Sequence, residues 1–249
     1  MNQIIETILN HRSQRSFEDR PLSDEQISAI VQSAQAASTS SFIQAYSIIG
    51  VKDPEKKKKL AALAGSQDYV ANNGHLLVFC ADLHRHTLIS EMEQTDAEES
   101  LLSTEKFMVA CIDASLAAQN AAIAAESMGL GICYIGGIRN DLKGVAEVLK
   151  TPERVIPLFG MVIGYPDEVN DLKPRLPMEH VYMEEEYLQD KEAYKKQLEG
   201  YNEMISDYYS SRTGGRRNDT WTGQMAKMLS VPRRMYMKDF VESKKLNTK

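Results

Sequence analysis

The sequence predicts a mixed α and β fold in one body continued by a basic helical tail, and three observations predict it. Short apolar runs of strand length, at 46–51, 75–81, 131–135 and 155–163, alternate with capped segments of helical period. With 249 residues, 43% of them hydrophobic and 26% charged, the chain can bury a full core and has the composition of a globular protein. Charge divides along it: residues 201–249 carry ten Lys/Arg against five Asp/Glu, a net of +5, which within a total of −6 leaves −11 on residues 1–200. An acidic body argues against general nucleic-acid binding, while a basic tail suits a local anion site or a charge-complementary partner. The expected division is a core over 1–180 and a helical, basic extension over 181–249 in the same domain.

In chain order, Ile4, Ile5, Ile8 and Leu9 share one face of a short helix that should pack and deliver His11-Arg12-Ser13-Gln14-Arg15-Ser16-Phe17. Two guanidinium groups, an imidazole and two hydroxyls there suit a phosphate or an electron-rich ring; a solvated basic turn is the plainer alternative. Ser23 with Gln26 three residues on is a capping box, opening a helix whose apolar face is Ile27, Ile30, Val31 and Ala34. The periodicity ends in the hydroxyl-rich stretch 36–42, read either as a polar loop of the site or as ordinary helix termination. Tyr46–Val51 follows as a strand. Asp53 and Pro54 then open a helix over 55–64 that Gly65 stops, with Lys56–Lys59 expected on its exposed side.

Gln67 falls in a turn, and 75–81 reads as a buried strand. Cys80, His84 and His86 could be imagined around a metal, but no fourth ligand is spaced nearby, so no metal site is expected and the histidines are read as surface residues. The acidic stretch 91–99 is expected as a loop or exposed helix. A long alanine-rich helix should run from Thr104 to Met128 and close at Gly129, with apolar contact all round, buried in the domain or in a dimer interface; Gln119 and Asn120 would then need partners. The strand 131–135 ends in Gly136-Gly137, which suits either close approach of a flat ligand or a tight turn into the helix 141–149. After the strand 155–163, Lys173-Pro174-Arg175 forms a stiff extended loop that aims two cations the same way. Tyr187, Tyr194, Leu198, Tyr201 and Ile205 then form a stripe too narrow for a core of its own, which should wrap the body or a second subunit. A mobile basic loop, Arg212 to Arg217, precedes Trp221, and Arg233-Arg234 open the last segment.

Cys80, Cys111 and Cys133 are widely spaced in apolar surroundings and read as reduced core residues. No signal pattern and no apolar run of the roughly 20 residues a membrane helix needs is seen, so a cytoplasmic, soluble protein is expected. Neither GxGxxG nor a Walker-A spacing occurs, which removes the phosphate loop of a Rossmann or P-loop reading.

Taken together, His-Arg-Ser-x-Arg-Ser-Phe (11–17), Ser-Thr-Ser-Ser-Phe (38–42), Gly-x-Gln (65–67), Ala-Gln-Asn (118–120), Ala-Glu-Ser-x-Gly-Leu-Gly (125–131), Tyr-Ile-Gly-Gly-Ile-Arg-Asn (134–140) and Lys-Pro-Arg-Leu-Pro (173–177) carry a resemblance. In this order, over nearly the whole chain, they resemble the NADPH-dependent oxygen-insensitive nitroreductase and flavin reductase P family. The resemblance implies an α+β nitroreductase fold with a central, mostly antiparallel sheet flanked by helices. It also implies an FMN-containing homodimer whose extended C-terminal segment wraps the partner, with two sites at the subunit interface.

By the same resemblance His11, Arg12, Ser13, Lys173 and Arg175 would hold the FMN phosphate, with Gln14 and Pro174 in the same loops. Arg15 would lie near the N1/O2 edge of the ring and Gln67 at its pyrimidine edge. Gly136 and Gly137 amides would meet N5 and O4, with Tyr134 and Ile135 on the same strand, and a guanidinium near N1 would favour reduction. Thr39 stands where the family often has Ser and keeps the hydroxyl. Ser41 and Phe42 would border the open face where substrates stack. Arg212 with Arg216 or Arg217, and Arg234, would clamp the 2′-phosphate of NADPH, with NADH as a possible donor. The implied reaction is a ping-pong hydride transfer from NAD(P)H to nitroaromatics, quinones or free flavins, needing no side-chain nucleophile. A non-catalytic flavin store or sensor with a partner-binding tail is the alternative of a different class.

Overall fold

The computed structural model describes residues 2–168 and 170–249. Its helices are α1 (Gln3–Leu9), α2 (Asp24–Gln35), α3 (Pro54–Leu63), α4 (Asp68–Ala71), α5 (His84–Met92), α6 (Glu98–Leu102), α7 (Thr104–Ser127), α8 (Leu142–Leu149), α9 (Lys191–Thr213), α10 (Trp221–Leu229) and α11 (Met237–Ser243). The strands are β1 (Tyr46–Val51), β2 (His75–Asp82), β3 (Gly131–Ile135) and β4 (Val155–Gly164). They form one sheet in the order β1-β2-β4-β3, every neighbour antiparallel. Central β2 is buried on both faces, which explains its unbroken apolar run. Leu76, Val78 and Cys80 join a core with α3 and α8, while Leu77 and Phe79 face α2 and α7 on the other side.

The helix ends follow their caps. Ser23 accepts from the Gln26 amide and the Gln26 side chain returns to the Ser23 amide, completing the capping box of α2. Asp53 and Pro54 open α3, and Gly129 at φ +75° lies just past α7. Among the described residues α7 is the one helix with the length and apolar composition to cross a membrane. Here it lays Ala110, Ala114, Ala117, Ala118, Ala121 and Ala125 into the core.

Contacts divide the chain into two units, residues 1–170 with 234–249, and residues 171–233. The last sixteen residues return to the first unit. The Arg154 amide donates to Lys244 O at 2.9 Å and the Thr104 amide to Lys249 O at 2.8 Å. Further expectations give way to packing. The α1 side chains Ile4, Ile5, Ile8 and Leu9 are exposed on this chain. Lys57 is not on a solvated face: it is 6% exposed and its Nζ donates to Asn73 O at 2.9 Å. The acidic stretch 91–99 is exposed as expected, turning into a short helix at Glu98, whose carboxylate pairs with Arg154. α7 is apolar all round but buried on one side only, leaving Met108, Ile112 and Leu116 about half exposed. Gln119 is exposed, and Asn120 donates to Ser33 O at 3.1 Å. In the second unit the tyrosine stripe does make a small core, Tyr201, Ile205 and Tyr209 packing with Leu176, Tyr208 and Trp221, while Tyr187 stays exposed.

Candidate functional site

The 11–17 loop extends the β3 edge of the sheet. Ser13 bridges Ile132 in parallel, and the Gln14 amide donates to Ile132 O at 2.8 Å. Gln14 turns its buried side chain inward, accepting from Asn170 Nδ2 at 2.9 Å and pressing on Gly131, where a Cβ would lie 2.6 Å from its Cγ. His11 Nδ1 lies 2.7 Å from Glu126 Oε1, so the last turns of α7 orient the imidazole. Arg12 bonds Asn10 O at 3.0 Å and lines a cleft of about 330 Å³ with Gln3, Glu6, Glu126 and Gly131.

Arg15, the next guanidinium, is exposed beside Tyr69 and Cys133. Burial pushes the Tyr69 phenol up and the Arg15 guanidinium pulls it back; Cys133 shows the same opposition, with burial again the larger effect. Tyr69 donates to Gln67 Oε1 at 2.5 Å, so what Gln67 still offers a ligand is its Nε2 donor pair. This turn is locked to the end of β3. A Cβ on Gly137 would fall 2.3 Å from Ala64 O, so the second glycine is required by backbone packing against the end of α3. Gly136 meets only the tip of Arg139, 3.2 Å from such a Cβ. Tyr134 is half-buried, edge-on to Phe159 at 5.7 Å, and its hydroxyl is pushed up by burial; Ile135 is buried and could meet a ligand only through its backbone.

A brace holds the Gly136–Asn140 turn. Arg139 Nη1 donates to Leu158 O at 2.6 Å, and Arg234 Nε and Nη2 both donate to Asn140 Oδ1, at 3.0 and 2.8 Å. Arg234 is therefore committed to this turn in the first unit, whereas Arg212, Arg216 and Arg217 belong to the second.

The Thr39–Phe42 stretch lies at the opposite edge of the sheet, leading into β1. Ser41, Phe42 and Gln44 all take positive φ, 48°, 58° and 53°, a strained run for residues with side chains. Asp113, fully buried in α7, accepts from the amides of Ser40 and Ala45, both at 3.0 Å, and His86 Nε2 contacts Ile43 O at 2.8 Å. His86 is thus a half-buried anchor and not a surface residue. Phe42 is 81% exposed, and no hydrogen bond or ion pair joins this loop to residues 11–17 or 136–137 among the described residues.

In the second unit, Lys173 and Arg175 leave an extended segment pinned by Tyr201, whose hydroxyl donates to Pro174 O at 3.0 Å. Lys173 Nζ donates to Tyr209 Oη at 3.1 Å, Arg212 Nη1 to Tyr208 Oη at 3.1 Å, and Arg217 lies over the Tyr209 ring. Arg212 lies in the last turn of α9, which Gly214 closes at φ 59°, and the loop before Trp221 begins there, with Arg216 Nε donating to Thr213 O at 3.0 Å. The sequence assigned no site role to Glu126, Tyr69, Asp113 or Tyr209, although Glu126 stands in the Ala-Glu-Ser motif and Asp113 is an acid inside an alanine-rich helix.

A double-glycine strand end, an amide donor beside it and a cationic loop along the same edge of an α+β sheet carry the groups that a flat, anionic ligand would need. The chain belongs to the nitroreductase family: residues 8–165 match the Nitroreductase family and residues 173–249 its C-terminal domain. It is 55% identical over 247 residues, 99% of each chain, to the FMN reductase (NADPH) of Bacillus subtilis. Among solved structures it resembles B. megaterium NfrA1 (65% identity, covering 99% of this chain and 100% of that one, TM-score 0.98). It also resembles the NADPH:FMN oxidoreductase of Vibrio harveyi complexed with NAD+ (39% identity, 100% of both chains, TM-score 0.88).

Proposed function

We propose that this protein is an FMN-dependent NADPH oxidoreductase that reduces nitroaromatics, quinones or free flavins. The observation that carries the reading is the donor set at the β3 end. Gln67, its oxygen capped by Tyr69, offers an amide donor, and the exposed Arg15 guanidinium stands beside Tyr69, as the carbonyl-rich pyrimidine edge of a flavin requires. Bound FMN supplies the hydride-accepting and hydride-donating centre. The chain's own part is to hold and bias it. Arg15 would place positive charge where electron uptake builds negative charge, the braced Gly136–Gly137 turn would present backbone, and His11, Arg12 and Ser13 would supply donors from the loop. The resemblance assigns Lys173 and Arg175 to the phosphate, and Arg212, Arg216 and Arg217 to NADPH. With FMN bound, a single open face visited by nucleotide and then oxidant would give ping-pong kinetics.

The working form is a homodimer in the cytoplasm. Thr39–Phe42 and residues 11–17 flank opposite edge strands, three strand spacings or about 14 Å apart across the sheet, so a second copy is the economical source of the Ser41 and Phe42 side of each site. The exposed apolar residues of α1 and α7 offer the surface such a copy would cover. Visible spectra recorded anaerobically before and after NADPH, then with a nitroaromatic, test the function. A flavin spectrum that bleaches and recovers is expected. A bound flavin that NADPH does not bleach would favour storage or sensing, and a protein that retains no FMN would overturn both.

A further inference from the structure

Tyr209 occupies a position that no ligand-binding assignment uses. Its ring is buried in the small core with Tyr201 and Ile205 and so has a fixed orientation. Its hydroxyl accepts from Lys173 Nζ at 3.1 Å and donates to Gln224 Oε1 at 3.3 Å, which saturates the phenol in one direction. The Lys173 ammonium also stands 5.4 Å from the ring centroid, and the Arg217 guanidinium 4.3 Å from it. Both cations therefore sit within about 10 Å of each other on one rigid ring. Arg217 Nε is paired with Asp219 at 2.7 Å, leaving its Nη edge, and no carboxylate pairs with Lys173 among the described ion pairs. Lys173 in turn pulls the Tyr209 phenol below its ordinary range, chiefly through the hydrogen bond.

We propose that Tyr209 is the positioning residue that holds Lys173 and Arg217 as anchors for two phosphomonoesters, Lys173 through its hydroxyl and Arg217 through its ring. The proposal rests on the reading of the protein as a user of FMN and NADPH. The FMN 5′-phosphate and the NADPH 2′-phosphate share this chemistry, and riboflavin and NADH lack it. The hydroxyl keeps the lysine ammonium aimed for FMN. The ring keeps the guanidinium flat for NADPH, at the entropic advantage of a side chain ordered before its ligand arrives.

The two arms separate by substitution in the full-length protein. Tyr209→Phe keeps the ring and removes the hydroxyl. It should weaken FMN binding about tenfold in a flavin-fluorescence titration, the effect of losing a hydrogen bond to a charged group. Riboflavin binding and the NADPH/NADH ratio of KM should stay unchanged. Tyr209→Leu removes the ring and should raise KM for NADPH about threefold at constant KM for NADH, with no further rise in an Arg217→Ala background. FMN affinity within twofold of wild type in Tyr209→Phe, or an equal loss for riboflavin, would overturn the proposal, whether or not the leucine variant folds. Lys173→Met separates this from the underlying reading. If Lys173→Met loses the preference for FMN over riboflavin and Tyr209→Phe does not, only the role of Tyr209 falls. If Lys173→Met keeps that preference, the phosphate assignment falls with it.

Discussion

His75 shows how a residue at a strand end can set the acid limit of the fold. It opens β2 beside Gly50, where a Cβ would come within 3.1 Å of its Nε2, and it is buried. Burial first, then the charges of Lys57 and Lys52, push its imidazole down to about 4, against a small opposing pull from Asp24. Folding therefore expels a proton that the unfolded imidazole keeps below pH 6.5. Stability from a neutral His75 is fully present above that value, drains away as pH falls towards about 4, and levels off below. Thermal melts should show a midpoint that falls more steeply between pH 6.5 and 4 in the wild type than in His75→Gln; equal slopes would place the acid sensitivity elsewhere. The same cluster explains Lys57, whose ammonium burial pushes down and whose hydrogen bond to Asn73 keeps it inside. A run of four lysines reads as solvent-facing, and nothing local marks the one that the fold turns inward.

At the scale of elements, the hydroxyl-rich loop after α2 depends on a carboxylate seventy residues away in sequence. Asp113 accepts two amide hydrogen bonds from the loop, and with it in place three residues tolerate positive φ. Asp113→Ala leaves the Ser40 and Ala45 amides without acceptors and should cost about 2–4 kcal/mol in urea unfolding, with faster hydrogen exchange at both amides. Asp113→Asn retains one acceptor oxygen and should fall between. Exchange at these amides unchanged in Asp113→Ala would mean that the loop holds itself. The helix–turn–strand order around this loop is plain in the sequence, because capping boxes, Asp-Pro and terminal glycines are local signals. The anchor is not, because hydrogen bonding between distant segments leaves no periodicity.

For the molecule as a whole, the exposed apolar surface is the feature a single chain does not satisfy. Met108, Ile112 and Leu116 recur every four residues along α7 and stand 53%, 50% and 45% exposed, alongside the unburied apolar face of α1. Covered by a second copy, Ile112 would tolerate no charge. Ile112→Asp should weaken dimerisation roughly a hundredfold or more, since an unpaired buried carboxylate costs several kcal/mol. Light scattering on the eluting protein should then show a shift from twice the chain mass towards once. A variant that stays dimeric would move the interface off this face.

By itself the sequence determined the strands and most helices of the core, and the cationic, glycine and amide motifs of the site. Each is written in short-range signals: burial period, caps, turn residues and motif order. Only the tertiary structure decided which face of α1 and α7 is left open and that the tyrosines of α9 make a core with Trp221. It likewise decided that Arg234 braces Asn140, and that Asp113 and Tyr209 hold residues far from them in the chain. Those outcomes depend on which distant groups meet once the sheet is assembled, and a hydrogen bond or an ion pair across a hundred residues has no spacing of its own to read.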